Sequence, residues 1–166
     1  MRSKESTAVA GAKGFPPHSS LLTPHAVTIL AFDFGTNKIG VAAGNTETGT
    51  ASPLALVCAA SGAARLEKIE ALVREWSPGK LVVGLPVTLE GAENEMTRRA
   101  RRFARQLEAR FHLPVDFADE RLSSVAAEER LREGARGGQK YKDLVHAEAA
   151  QIILQSYLDE EHASRR

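Results

Sequence analysis

Val27-Thr28-Ile29-Leu30-Ala31-Phe32-Asp33-Phe34-Gly35-Thr36-Asn37-Lys38-Ile39-Gly40-Val41 is the stretch that decides how this chain folds. Residues 27–33 form an apolar, β-branched run ending in a carboxylate, as expected of a strand buried on both faces. Phe34-Gly35-Thr36-Asn37 supplies turn chemistry, and residues 38–44 resume the apolar run. A second turn, Asn45 to Gly49, precedes a third candidate strand near Ala51–Val57. Three strands in succession, joined by turns too short for a crossover, predict an antiparallel meander.

Beyond residue 60 the hydrophobic period becomes helical. Leu66, Ile69, Leu72, Val73 and Trp76 share one face of a helix over about 63–76. Pro78-Gly79 ends it, and Leu81-Val82-Val83-Gly84-Leu85 reads as another strand buried on both faces. Residues 94–110 form a helix with Met96, Ala100, Phe103 and Leu107 on one stripe. Pro114 to Ala118 is a short strand leading into Asp119-Glu120-Arg121. Ser123 or Ser124 caps a helix to about Arg132, and Gly134–Gln139 is a glycine-rich loop. A last helix spans about Asp143–Asp159, apolar over a broad arc. This β-β-β-α-β-α-β-α-α order predicts an α/β fold: a mixed five-stranded sheet with helices on both faces.

The 166 residues carry 22 Lys+Arg against 21 Asp+Glu, a net charge of +1, with 43% hydrophobic residues. Disordered and fibrous classes are excluded, and one domain of ordinary size is expected. Residues 1–25 show no periodicity and no compact apolar segment, so they read as a flexible extension rather than a signal peptide. The domain is expected over 26–160, with a tail at 161–166. A single cysteine, Cys58, precludes an internal disulfide and suits a reducing, cytoplasmic setting, where a lone thiol is commonly a small buried hydrophobe. No window of 18 apolar residues exists, so no membrane span or membrane partner is expected.

Three places can carry chemistry. Asp33 ends a strand just before Gly35, where ligands collect in sheet proteins; an Asp that only caps a turn fits as well. Glu120 leaves the strand ending near Ala118. If that strand neighbours the first, the two carboxylates face each other, an arrangement best tolerated around a divalent cation. Asp143, His146 and Glu148 lie near the start of the final helix, with Asp143 and His146 on a common face. Between Arg98 and Lys142, twelve Lys/Arg stand against seven Asp/Glu. Arg98, Arg99, Arg101, Arg102 and Arg105 occupy the polar side of one helix, and Arg136, Lys140 and Lys142 decorate the glycine-rich loop. Acids beside a basic surface suit a metal-dependent phosphodiesterase, although arginine-rich helix faces are often merely solvated.

Five motifs in order, Ile29–Val41, Thr50–Leu54, Val82–Gly91, Asp119–Ser124 and Ala149–Leu158, resemble the YqgF family. That resemblance covers about 130 residues. It implies an RNase H-like fold and a metal-dependent nuclease for the 5′ end of pre-16S ribosomal RNA. Holliday-junction-type DNA cleavage is the alternative. Asp33 matches the first catalytic Asp and Glu120 the Glu of the Asp-Glu-Arg motif. The third acid normally stands three residues before the Ala-Ala pair, and here that position is His146. Imidazole is a competent ligand that favours Mn²⁺ relative to Mg²⁺; Asp143 and Glu148 are possible substitutes. The implied mechanism is two-metal hydrolysis with Asp33, Glu120 and His146 around Mg²⁺ or Mn²⁺. Arg121, Arg98, Arg102, Arg136, Lys140 and Lys142 would hold RNA. A binding protein with a degenerate site is a further reading, carried by His146 alone. Asp33 to Thr36 followed by Gly40 also resembles the phosphate hairpin of sugar-kinase and actin-type ATPases, but their two lobes need far more chain.

Overall fold

The computed structural model describes residues 26–86, 93–119 and 139–165, the backbone alone for 139–144. In chain order the elements are β1 (Thr28–Asp33), β2 (Lys38–Asn45), β3 (Thr50–Cys58), α1 (Gly62–Trp76), β4 (Lys80–Leu85), α2 (Glu95–Phe111), β5 (Val115–Asp119) and α3 (Gln139–Ser164). The expected helix at 123–132 and the extension at 1–25 lie outside the described residues.

The five strands form one sheet in the order β3-β2-β1-β4-β5. The meander is antiparallel throughout, with Asp33 paired to Gly40 and Lys38 to Cys58. β4 runs parallel to β1, and β5 parallel to β4. β1 and β4, the most continuous apolar runs, lie at the centre and are buried along their middle four residues. The edges go to β3 and to the short, half-exposed β5. A register shift between Val41 and Ala42 leaves Leu54 unpaired beside Pro53. An edge strand tolerates such a proline, which has no N–H to offer the ladder.

Strand alternation splits the core into two layers. Leu30, Phe32, Ile39, Val41, Leu81 and Val83 face α1 and α2, meeting Ile69, Phe103 and Leu107. Ile29, Ala31, Ala42 and Val82 face α3, meeting Ala150, Ile153, Leu154 and Leu158. Each such Leu, Ile or Phe contributes about 2 kcal/mol by leaving water. A mixed sheet that opens with a meander and has helices on both faces is the RNase H-like architecture implied by the motifs.

Local chemistry fixes the helix ends. Ser61 caps α1 by accepting from the Ala64 amide. Asn94 and Thr97 form a reciprocal capping box at the start of α2. Thr97, fully buried, also donates to the Pro86 carbonyl, tying α2 to the end of β4. Along the other face, α3 closes the open edge of β3: the Gln155 side chain accepts from the Ala51 amide at 3.1 Å, and Gln151 donates to the Ala51 carbonyl at 3.0 Å. Those bonds satisfy an edge that would otherwise invite pairing.

Several expectations are corrected. α3 starts at Gln139 and continues through 161–164, so most of the expected tail is helical, and Lys140 and Lys142 belong to its first turns rather than to a loop. The flanking residues are polar and leave no apolar stripe to read. Cys58 is exposed, because it ends an edge strand. Trp76, at the last turn of α1, is 38% exposed rather than part of the packed face.

Candidate active site

Asp33 is the last residue of β1 and half-buried. Ile29 and Ala31 pack toward α3, and the same alternation gives Asp33 that side of the sheet. Two glycines shape its surroundings. At Gly35 a Cβ would overlap the Lys38 carbonyl, so only glycine lets the turn after Asp33 close this tightly. At Gly40, the ladder partner of Asp33, a Cβ would overlap the carbonyl oxygen of His146 and crowd the amide of Ala147. The α3 backbone therefore rests directly on β2 at this point. His146, half-buried, stands over the residue paired with Asp33. One corner of the sheet thus brings the α3 backbone at His146 against the β2 partner of Asp33.

The remaining expected residues divide. Glu148 is half-buried on α3 and engaged in interactions of its own. Asp143 lies one turn before His146 along the α3 backbone. Glu120, Arg121 and Arg136 lie outside the described residues, as do the side chains of Lys140 and Lys142. β5, which leads into Glu120, does not neighbour β1. β4 separates them, so the two strands are about 10 Å apart. The adjacency on which the facing-carboxylate expectation rested is overturned, although β1, β4 and β5 all point their C-terminal ends the same way. Among the described residues no group of three His, Cys, Asp or Glu could hold a metal ion. Carboxylate and imidazole are both donor types that divalent cations accept.

The arginines of α2 do different work. Arg98 pairs with Glu95 at 2.9 Å, and Arg99 reaches the same carboxylate at 3.2 Å. Arg98, foremost, and Arg99 hold the Glu95 carboxyl below its ordinary range by hydrogen bonding. Arg101 bonds Glu93 and covers the Phe117 ring at 5.4 Å. Arg110 crosses to Glu70 of α1 at 2.6 Å, where Arg74 also binds. Arg102 and Arg105 have no ion-pair partner among the described residues and are exposed.

A family profile described as RuvX, Holliday junction resolvase, matches residues 27–160. The chain belongs to the RuvX family. This is the family that the motifs resemble under the name YqgF. A Dechloromonas aromatica protein named "Putative pre-16S rRNA nuclease" is 50% identical over 135 residues, covering 81% of this chain and 92% of that one. A Burkholderia pseudomallei protein of the same name is 52% identical over 132 residues, covering 80% and 88%. Among solved structures, RuvC of Thermus thermophilus with a Holliday junction substrate shares 15% identity over 82% of this chain and 96% of that one, with a TM-score of 0.47. The family assignment rests on the sequence matches, not on that likeness.

Two features of this RuvX chain escape a sequence reading. At the end of the sheet opposite Asp33, Lys80 donates to the Tyr157 hydroxyl at 2.9 Å, and that hydroxyl donates to Asp116 at 2.5 Å. Lys80 and Asp116 also pair directly at 3.2 Å. Tyr157, and then Lys80, hold the Asp116 carboxyl below its usual value, while Lys80 is pushed up. Such a network joins residues 77 positions apart and leaves no local trace. The second feature is Arg65, half-buried near the start of α1, whose guanidinium turns back toward the β1–β2 turn to bond the Thr36 carbonyl at 2.6 Å. Only its apolar-helix setting was visible in the sequence.

Proposed function

We propose that this RuvX-family chain is a metal-dependent nuclease that hydrolyses a phosphodiester bond at the 5′ end of pre-16S ribosomal RNA, acting in the cytoplasm during ribosome biogenesis. The observation that carries the reading is the Asp33–Gly40–His146 corner, in a chain half identical to proteins named for that activity. Asp33 and Glu120 would hold Mg²⁺ or Mn²⁺ through carboxylate oxygens and His146 through a ring nitrogen, with Asp143 and Glu148 as candidates for additional donors. When bound, the ion would act as a Lewis acid that offsets charge building up on the phosphodiester.

The protein's own groups do the positioning. Close packing at Gly40 keeps His146 from drifting away from the end of β1. Arg98, Arg102, Arg121, Arg136, Lys140 and Lys142 would hold backbone phosphates, which sets register without reading sequence. No described residue is arranged to read base edges, so specificity would come from RNA shape and ribosomal context. An imidazole in place of a third carboxylate shifts preference toward Mn²⁺.

DNA junction cleavage is the second reading, favoured by the description attached to the matching family. Supplying the protein with a 5′-extended 16S precursor fragment and a four-way DNA junction, each in Mg²⁺ and in Mn²⁺, separates the two. The RNA reading expects cleavage of the precursor with the junction left intact. Selective resolution of the junction would reverse the assignment.

A further inference from the structure

On the sheet face opposite α3, the chain just past Asp33 opens into a groove of about 370 Å³ between the starts of α1 and α2. Its floor is the half-buried Phe34, backed by the core residue Phe103 with ring centroids 5.0 Å apart. Its rim is basic, with Arg65 from α1 and Arg99 and Arg102 from α2, against one acid, Glu95. Arg65 lies 5.7 Å over the Phe34 ring, and its Nε is buried with no hydrogen-bond partner among the described residues. Cations held around an aromatic floor suit an anionic group that also has a flat apolar face.

We infer that this groove binds a single-stranded nucleic acid segment. Arg65, Arg99 and Arg102 would take the phosphates, and the Phe34–Arg65 stack would take a base or ribose. Strand-tracking cations combined with aromatic faces are how proteins hold single strands, whereas duplex binding needs no exposed π-surface. Phe34 is the residue after Asp33, so a strand lying in the groove has its neighbouring nucleotides at the end of β1. The groove thereby divides the arginine-rich helix. Arg99 and Arg102 line it, Arg99 while bonded to Glu95 on the same rim, whereas Arg98 and Arg101 lie outside its lining. This inference rests on the nuclease reading for its biological meaning, but not for its test.

Binding is measured by fluorescence anisotropy on the full chain with a labelled 12-nucleotide RNA in chelator, so that cleavage plays no part. Arg99→Gln/Arg102→Gln, both exposed and outside the core, is expected to weaken binding about tenfold and to lower the salt dependence by about 1.4 in log–log slope, roughly 0.7 per phosphate contact on a single strand. Phe34→Leu is expected to weaken single-strand binding with the slope unchanged, since stacking releases no counterions. Arg74→Ala, a cation on the exposed side of α1, is the control and should bind as wild type. Thermal unfolding reports whether each variant is folded. Wild-type affinity in the double variant, equal losses for duplex and single strand, or no single-strand binding by the wild-type chain would each overturn the inference. Failure of the cleavage assays with these binding losses intact would count against the nuclease reading alone.

Discussion

Gly40 has no functional atoms, yet it decides where His146 stands. A methyl group there would meet the α3 backbone, which cannot rotate away as a side chain can. Gly40→Ala is therefore expected to cost about 3 kcal/mol, the upper end for overpacking, in urea unfolding. Any folded remainder should show weakened metal affinity as α3 lifts from β2. An unchanged denaturation midpoint would mean that the helix does not rest on the strand there. His146→Asp asks the complementary question: as a ligand it should keep or raise cleavage and move the preference from Mn²⁺ toward Mg²⁺. Unaltered rate and preference would leave His146 as ordinary surface. The place of Asp33 at the end of β1 was legible because an acid closing an apolar run is a local pattern. Gly40 was visible as a residue but not as a constraint, since its reason lies in a helix more than 100 residues later.

Among the elements, α3 does the most: it covers one face, seals the β3 edge, and locks the far end through Tyr157. Tyr157→Phe removes the hydroxyl that joins Lys80 and Asp116, with an expected loss of about 1 kcal/mol at neutral pH. Asp116 has a lowered folded-state pKa, so its contribution is present above the usual 3.8 and fades as pH falls through the folded value. Lys80 is raised, so its contribution is present below 10.5 and lost as pH climbs past the folded value. Burial, and then Asp116, raise Tyr157 above 10.0, which adds to the alkaline loss. Stability of Tyr157→Phe should thus vary less steeply with pH than wild type, below about pH 4 and above about pH 10. Parallel curves would show that the network does not couple to folding. At α2, Thr97→Ala breaks the capping box and the bond to Pro86, for an expected loss of about 1–2 kcal/mol in thermal unfolding. Element type was readable from periodicity throughout the described chain. The start of α3 was not, because Gln139, Lys140 and Lys142 carry no apolar period, and helix propensity alone is a weak signal.

For the whole molecule, the sheet order is what sequence spacing could not supply. β5 follows β4 in the chain and in space, so Glu120 departs from a strand two positions from Asp33. A crossover of given length can place a parallel strand on either side of its neighbour, and hydrophobic pattern does not choose. The near-neutral total of +1 is similarly uninformative, since it averages a basic α2, six Arg against two Glu, over the whole chain. What survives at this scale is a sheet whose β1 end carries Asp33, with the α3 backbone at His146 packed on the paired strand, and a basic groove on the other face. The most direct test compares wild type and Asp33→Asn, both shown to be folded, on a 5′-extended 16S precursor with Mn²⁺ or Mg²⁺ present or chelated. Loss of a metal ligand should exceed the roughly 100-fold cost of disturbing a ligand's support. The expected result is metal-dependent cleavage by wild type and slowing by more than about 100-fold in Asp33→Asn. Cleavage by Asp33→Asn at the wild-type rate, or wild-type cleavage that persists in chelator, would contradict it.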